Sequence, residues 1–167
     1  MKRFTKIALV VCAMTMLFSV PVSATEKDLN AEVAMINQHV ATVEKQVDAL
    51  TPKSAGFNDW TSLNVHRRTV MKQTIGWAVA EFDNYILYVQ REEANAQELV
   101  RIKQQNIAAI TELCKVNPEF NAQLVQANAE LLAAQQQVGV HQNEIALCQQ
   151  FKEQQIAAIK AKAATYK

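Results

Sequence analysis

Leu29, Val33, Ile36, Val40, Val43, Val47 and Leu50 follow one another at steps of 4, 3, 4, 3, 4 and 3. That is the a/d repeat of a helix lying lengthwise on another helix. A second series repeats the alternation further along: Phe120, Leu124, Ala127, Leu131, Ala134, Val138, His141, Ile145 and Cys148. A strand presents its faces with period two and cannot use this spacing. The spacing therefore commits the chain to an all-α fold of long helices packed rod against rod.

Chain breakers set the number of rods. Thr51-Pro52-Lys53-Ser54-Ala55-Gly56 forms one loop and Asn117-Pro118 another. Gly139 and the stretch Arg91 to Asn95 are further places where a helix could break. The helices are expected at about 26–50, 58–116 and 119–164. Thr25, with Asp28 three residues on, can cap the first. Asn58 or Asp59 can cap the second. Asn117 at the N-cap, Pro118 at the first helical position and Glu119 in the first turn mark the start of the third. The expected architecture is an elongated antiparallel bundle of three long helices, or four if one breaks, with coiled-coil packing. At ~1.5 Å of rise per residue, the first helix reaches about residue 82 of the second, and the third returns to about residue 71. All three then overlap around 71–82. There the second helix, from Ile75 to Val89, is apolar nearly all round, as a helix buried on all sides must be.

The N-terminus reads as an export signal. Lys2, Arg3 and Lys6 precede an uncharged run from Ile7 to Val20, then Pro21 and the small residues around Ala24. The apolar run is shorter than the ~20 residues that span a bilayer. Val11 before Cys12 does not fit a lipoprotein signal. Residues 1–24 are therefore expected to be cleaved, leaving a single helical domain over 25–167 in the periplasm or outside the cell. That domain keeps 14 basic residues against 16 acidic ones, a net charge of −2. A mildly acidic chain with no basic cluster is a poor ligand for nucleic acid or an anionic membrane. No later segment is apolar enough for stable membrane insertion.

Cys114 and Cys148 remain after the signal, and an exported pair is ordinarily a disulfide. The antiparallel arrangement separates them by on the order of 40 Å at ~1.5 Å per residue, whereas a disulfide needs Cα atoms within ~7 Å. Three outcomes stay open: a chain reversal near residue 131, pairing between subunits, or two reduced thiols.

Residue patterns for chemistry are sparse. His39, His66 and His141 show no His-x3-His spacing, and no Cys-x-x-Cys-His exists for haem. The arrangement puts His39 and His66 within about a turn of each other, where Glu44 or Asp48 could join them as a bundle metal site. Two separate surface histidines are the stronger expectation, and no metal or cofactor is assigned. Gly-x-Ser-x-Gly, phosphate loops and His-Glu-x-x-His are absent. Glu92-Glu93 and the Glu81/Asp83 pair point to different helix faces and cannot act on one atom. No catalytic residue is assigned, and the chain is expected not to be an enzyme.

Aromatics are concentrated: Phe57, Trp60, Trp77, Phe82, Tyr85 and Tyr88 fall within 32 residues. They are expected mainly to thicken the core. Trp60 beside Arg67 and Arg68 is the candidate partner interface. The chain holds 17 Gln after the signal, many of them on Ala-rich helix faces. Such seams make a thin core, and thin bundles gain stability by associating. The expected role is a non-enzymatic helical interaction protein of the bacterial envelope, of chaperone, adaptor or secretion-accessory type. A metal- or small-ligand-binding bundle and a self-assembling structural protein are the alternatives.

Overall fold

In the computed structural model, which describes residues 28–167, every helix but the last begins where a side chain satisfies free backbone N–H groups, and the last grows out of a capped 3-10 turn. The first, α1 (Leu29–Ala49), is capped by Asp28, whose carboxylate accepts from the Asn30 N–H at 2.9 Å. A single turn, α2 (Pro52–Ala55), closes with a reciprocal Thr51–Ser54 capping box. It ends on Gly56 at φ 74°, a left-handed position that costs glycine nothing. Asp59 then caps α3 (Trp60–Val116), accepting from the Ser62 N–H at 2.7 Å. Asn117 accepts from the Glu119 N–H and starts a 3-10 turn (Pro118–Phe120) that leads into α4 (Asn121–Ala164). No strand occurs among the described residues. The expected signal segment, 1–24, and Thr25 lie outside them.

The described residues are thus almost all helical, as the periodicity requires. Neither suspected interruption exists: α3 is unbroken through Arg91–Asn95 and α4 through Gly139. Propensity losses at one glycine do not break a long helix whose neighbours are packed. A Cβ on either Gly76 or Gly139 would meet nothing within 4 Å.

α3 and α4 run antiparallel along their whole lengths. Lys103 reaches Glu130, Lys152 reaches Asp83 at 2.5 Å, and Asn64 donates to the carbonyl of Lys167. α1 lies in the groove between them, antiparallel to α3 and parallel to α4. His39 sits against Trp77, Arg67 donates to the Leu50 carbonyl at 2.6 Å, and Lys162 pairs with Asp48 at 2.6 Å. The three-helix section therefore runs from about Asn64 to Val89 of α3, longer than the 71–82 window expected from helix lengths. Two features lengthen it. The α2 turn sets the end of α1 opposite Arg67 rather than opposite residue 58, and the last residues of α4 pack on to Arg68 and Asn64.

This section holds the core. Ile36, Val40 and Val47 of α1 meet Met71, Ala78, Phe82, Tyr85 and Val89 of α3 and Cys148, Ile159 and Tyr166 near the end of the chain. Beyond it, α3 and α4 continue to the Asn117 turn as a two-helix arm. Ala96, Ala127 and Ala134 are the buried positions of this arm, flanked by half-buried Leu99, Ile110 and Leu131. Small residues let two helices approach closely but bury little apolar surface.

Two outcomes follow. Phe82→Ala should cost about 3–5 kcal/mol in urea denaturation, while Gly76→Ala and Gly139→Ala should each raise stability by about 0.5–1 kcal/mol. Amide hydrogen exchange should release residues 95–135 before 64–89.

Candidate functional site

Three regions carry functional groups, and the first is a groove left where α1 begins. There the α1 helix stops covering the α3–α4 seam, and a space of about 620 Å³ opens between Asp28, Leu29, Tyr88, Glu92, His141 and Glu144. Glu144 accepts a hydrogen bond from the hydroxyl of buried Tyr85. Burial, followed by that carboxylate, pushes the Tyr85 hydroxyl above its ordinary pKa. His141 lies one turn before Glu144 with Nδ1 3.8 Å from its carboxylate, and this buried nitrogen has no hydrogen-bond partner. The groove thus offers one imidazole and several carboxylates around an apolar floor of Leu29 and Val89. Among the described residues no group of three His, Cys, Asp or Glu side chains is placed to hold a metal ion.

His39 and His66, expected side by side, are apart. His39 stacks on Trp77, with ring centroids 3.8 Å apart, while His66 faces Phe57 at 5.2 Å. The offset between α1 and α3 described above separates them by about 11 residues of α3, or ~16 Å.

The second region closes the opposite end of the three-helix section. Asp48 accepts from Tyr166 at 2.7 Å and from Lys162 at 2.6 Å. Arg67 donates to Leu50 and to Asn64, and its guanidinium lies 5.6 Å from the Trp60 ring and 5.4 Å from the Tyr166 ring. Arg68 donates to the Tyr166 carbonyl. Trp60, Arg67 and Arg68, singled out as a partner interface, do converge. Both arginines nevertheless donate inside the chain, Arg67 from its two terminal nitrogens while its buried Nε has no partner and Arg68 from one, and these bonds tie the last residues to the α1–α3 turn. Trp60, 57% exposed, is the member that still offers surface. Tyr166 and Asp48 had no motif to announce them. Their signal is position, since both lie near helix ends that the antiparallel order brings together.

Cys148 is buried and donates to the Phe82 carbonyl at 3.9 Å. Cys114 is half-buried near the arm tip, and both thiols are free. Thirty-two residues of α3 separate Cys114 from Phe82, about 48 Å of helix, so no internal disulfide can form. The reversal near residue 131 that would have joined them does not occur. Burial, then the nearby Glu144 charge, pushes the Cys148 thiol up to about 11.

The third region is the outer face of α4. Val125, Leu132, Val140 and Leu147 are 71, 57, 60 and 48% exposed. Ala129, Gln136 and Asn143 fill the positions between them, and Val140, Asn143 and Leu147 also border the groove where α1 begins. The paired charges of α4 turn inward instead: Glu130 to Lys103, Glu144 to Tyr85, Lys152 to Asp83 and Lys162 to Asp48. The outward face of α3 in the same arm differs, with Glu98–Arg101 and Glu112–Lys115 ion pairs in solvent. Solvated helix faces ordinarily carry charge; that of α4, from Val125 to Leu147, carries none.

No protein-family model matches the chain, and no curated protein or solved structure matches it significantly.

Hydrogen bonds from Lys162 and then Tyr166 lower the Asp48 pKa below its ordinary 3.8. A depressed acid stabilises the fold above its unfolded value and loses that contribution as pH falls through the folded one. Asp48→Asn should therefore cost about 1 kcal/mol at pH 7, discounted for partial exposure, and the difference from the parent should vanish in strong acid. Urea titrations across pH measure this. At pH 8 an alkylating reagent should label Cys114 in the native protein and Cys148 only after unfolding, as read by peptide mass mapping.

Proposed function

We propose that this chain is a non-enzymatic, exported helical interaction protein of the bacterial envelope, acting through coiled-coil surfaces as a chaperone, adaptor or secretion accessory. The observation that carries this reading is the charge-free outer face of α4. Nonpolar side chains recur there at helical spacing, Val125 and Leu132 on the thin arm and Val140 and Leu147 beside the groove where α1 begins. A soluble helix face costs nothing to decorate with charge, and contiguous exposed apolar patches mark contact sites. The n-region, apolar run and small residues at 1–24 support export. Absence of a long apolar helix among the described residues is consistent with action in an aqueous compartment beside a membrane rather than within it.

A second reading, a small-ligand-binding bundle, is favoured by the groove at the start of α1, where the buried Nδ1 of His141 lacks a partner. An absorption spectrum and metal analysis of the purified protein separate it from the first.

A photo-reactive residue placed at Leu132 of the full chain, in the cell that produces it, should give a defined protein adduct. The same residue at Glu98, on the charged face of α3, should give none. Equal labelling from both positions, or from neither, would rule out the α4 face as the working surface.

A further inference from the structure

We propose that the outer face of α4 docks against the same face of a second copy, the two helices antiparallel about a two-fold axis at Gln136. This inference rests on the reading of that face as the working surface, and it names the partner.

The sequence of the face carries the argument. Its residues are Val125, Ala129, Leu132, Gln136, Val140, Asn143 and Leu147, at steps of 4, 3, 4, 4, 3 and 4. Those steps read identically from either end. Reversed about Gln136, Val125 comes opposite the partner's Leu147, and Leu132 opposite the partner's Val140. Asn143 lies over the small side chain of the partner's Ala129. Gln136 meets its own copy, and an amide both donates and accepts, so the pair satisfies itself. A two-fold interface must be self-complementary in this way. It must also avoid setting like charges against each other, and none of these residues is charged. The exposed apolar side chains thus pair large with large across the axis. The charges beside the face are Asp28, Glu92 and Glu144, in the groove that Val140, Asn143 and Leu147 border.

The area sets the strength. Val125 to Leu147 spans ~33 Å of helix, and a contact strip ~10 Å wide with its flanks covers on the order of 400 Å² on each copy. That is about 800 Å² in all, below the ~1,200 Å² at which stable association begins, so the dimer should be weak, reversible and concentration-dependent.

Sedimentation velocity of the full exported chain over a concentration series should show monomer–dimer exchange. Leu132→Glu should weaken the dimer at least tenfold without changing helical circular dichroism, and Glu98→Gln should leave it unchanged. In a Cys114→Ser background, Gln136→Cys chains should cross-link to each other. Val125→Cys chains should cross-link to Leu147→Cys chains but not among themselves. A monomer at every concentration, a dimer indifferent to Leu132→Glu, or self-linking of Val125→Cys would overturn the proposal. A monomer whose photo-reactive residue 132 captures a different protein would overturn this inference alone. A monomer with no adduct at 132 would overturn the interaction reading as well.

Discussion

The length mismatch between α1 and the α3–α4 hairpin organises the molecule. α1 has 21 residues and α3 has 57, so the hairpin can be covered along less than half its length. Where α1 lies, three apolar stripes meet, and Phe82 and Tyr85 can be buried completely. Where it stops, two helices must bury each other alone. Large seam residues on two helices would leave their flanks wet, and the arm uses alanine at Ala96, Ala127 and Ala134. The groove at Asp28 and the thin arm are both products of the point where α1 begins.

Charge placement follows the same division. In the three-helix section the ion pairs bridge elements: Asp48 with Lys162, and Asp83 with Lys152. Such pairs contribute modestly to stability but fix the register in which the apolar stripes meet. Arg67 does more, since it binds the Leu50 carbonyl while its guanidinium lies near two aromatic rings. In the arm, Lys103–Glu130 is the bridging pair among the described residues, and the other pairs decorate α3.

Much of this architecture was readable beforehand. The heptad steps placed α1 and α4, and the cap residues Asp59 and Asn117 marked where α3 and the last turn begin. Antiparallel order followed from two short breaks. The offset between α1 and α3 was not legible, because it depends on the left-handed Gly56 and on how the α2 turn lies over His66. That offset is what separates His39 from His66 and lengthens the three-helix section. Arg67 and Arg68 read as available donors because a sequence does not display carbonyls left free at a helix end. Leu50 and Tyr166 supply those carbonyls. The charge-free face of α4 was present in the residue spacing, but an eye fixed on the buried seam passes over the opposite one. The orphaned nitrogen of His141 depended on three helices meeting and had no linear signature.

α3 passes from the Arg67 cluster to the Asn117 turn as one uninterrupted helix, a long lever fixed at one end. About 27 residues project past the last α1 contact, some ~40 Å, so a rotation of roughly 5° at the core displaces the tip by ~3.5 Å. A tilt of the hairpin about the three-helix section would therefore be greatest at the Asn117 turn.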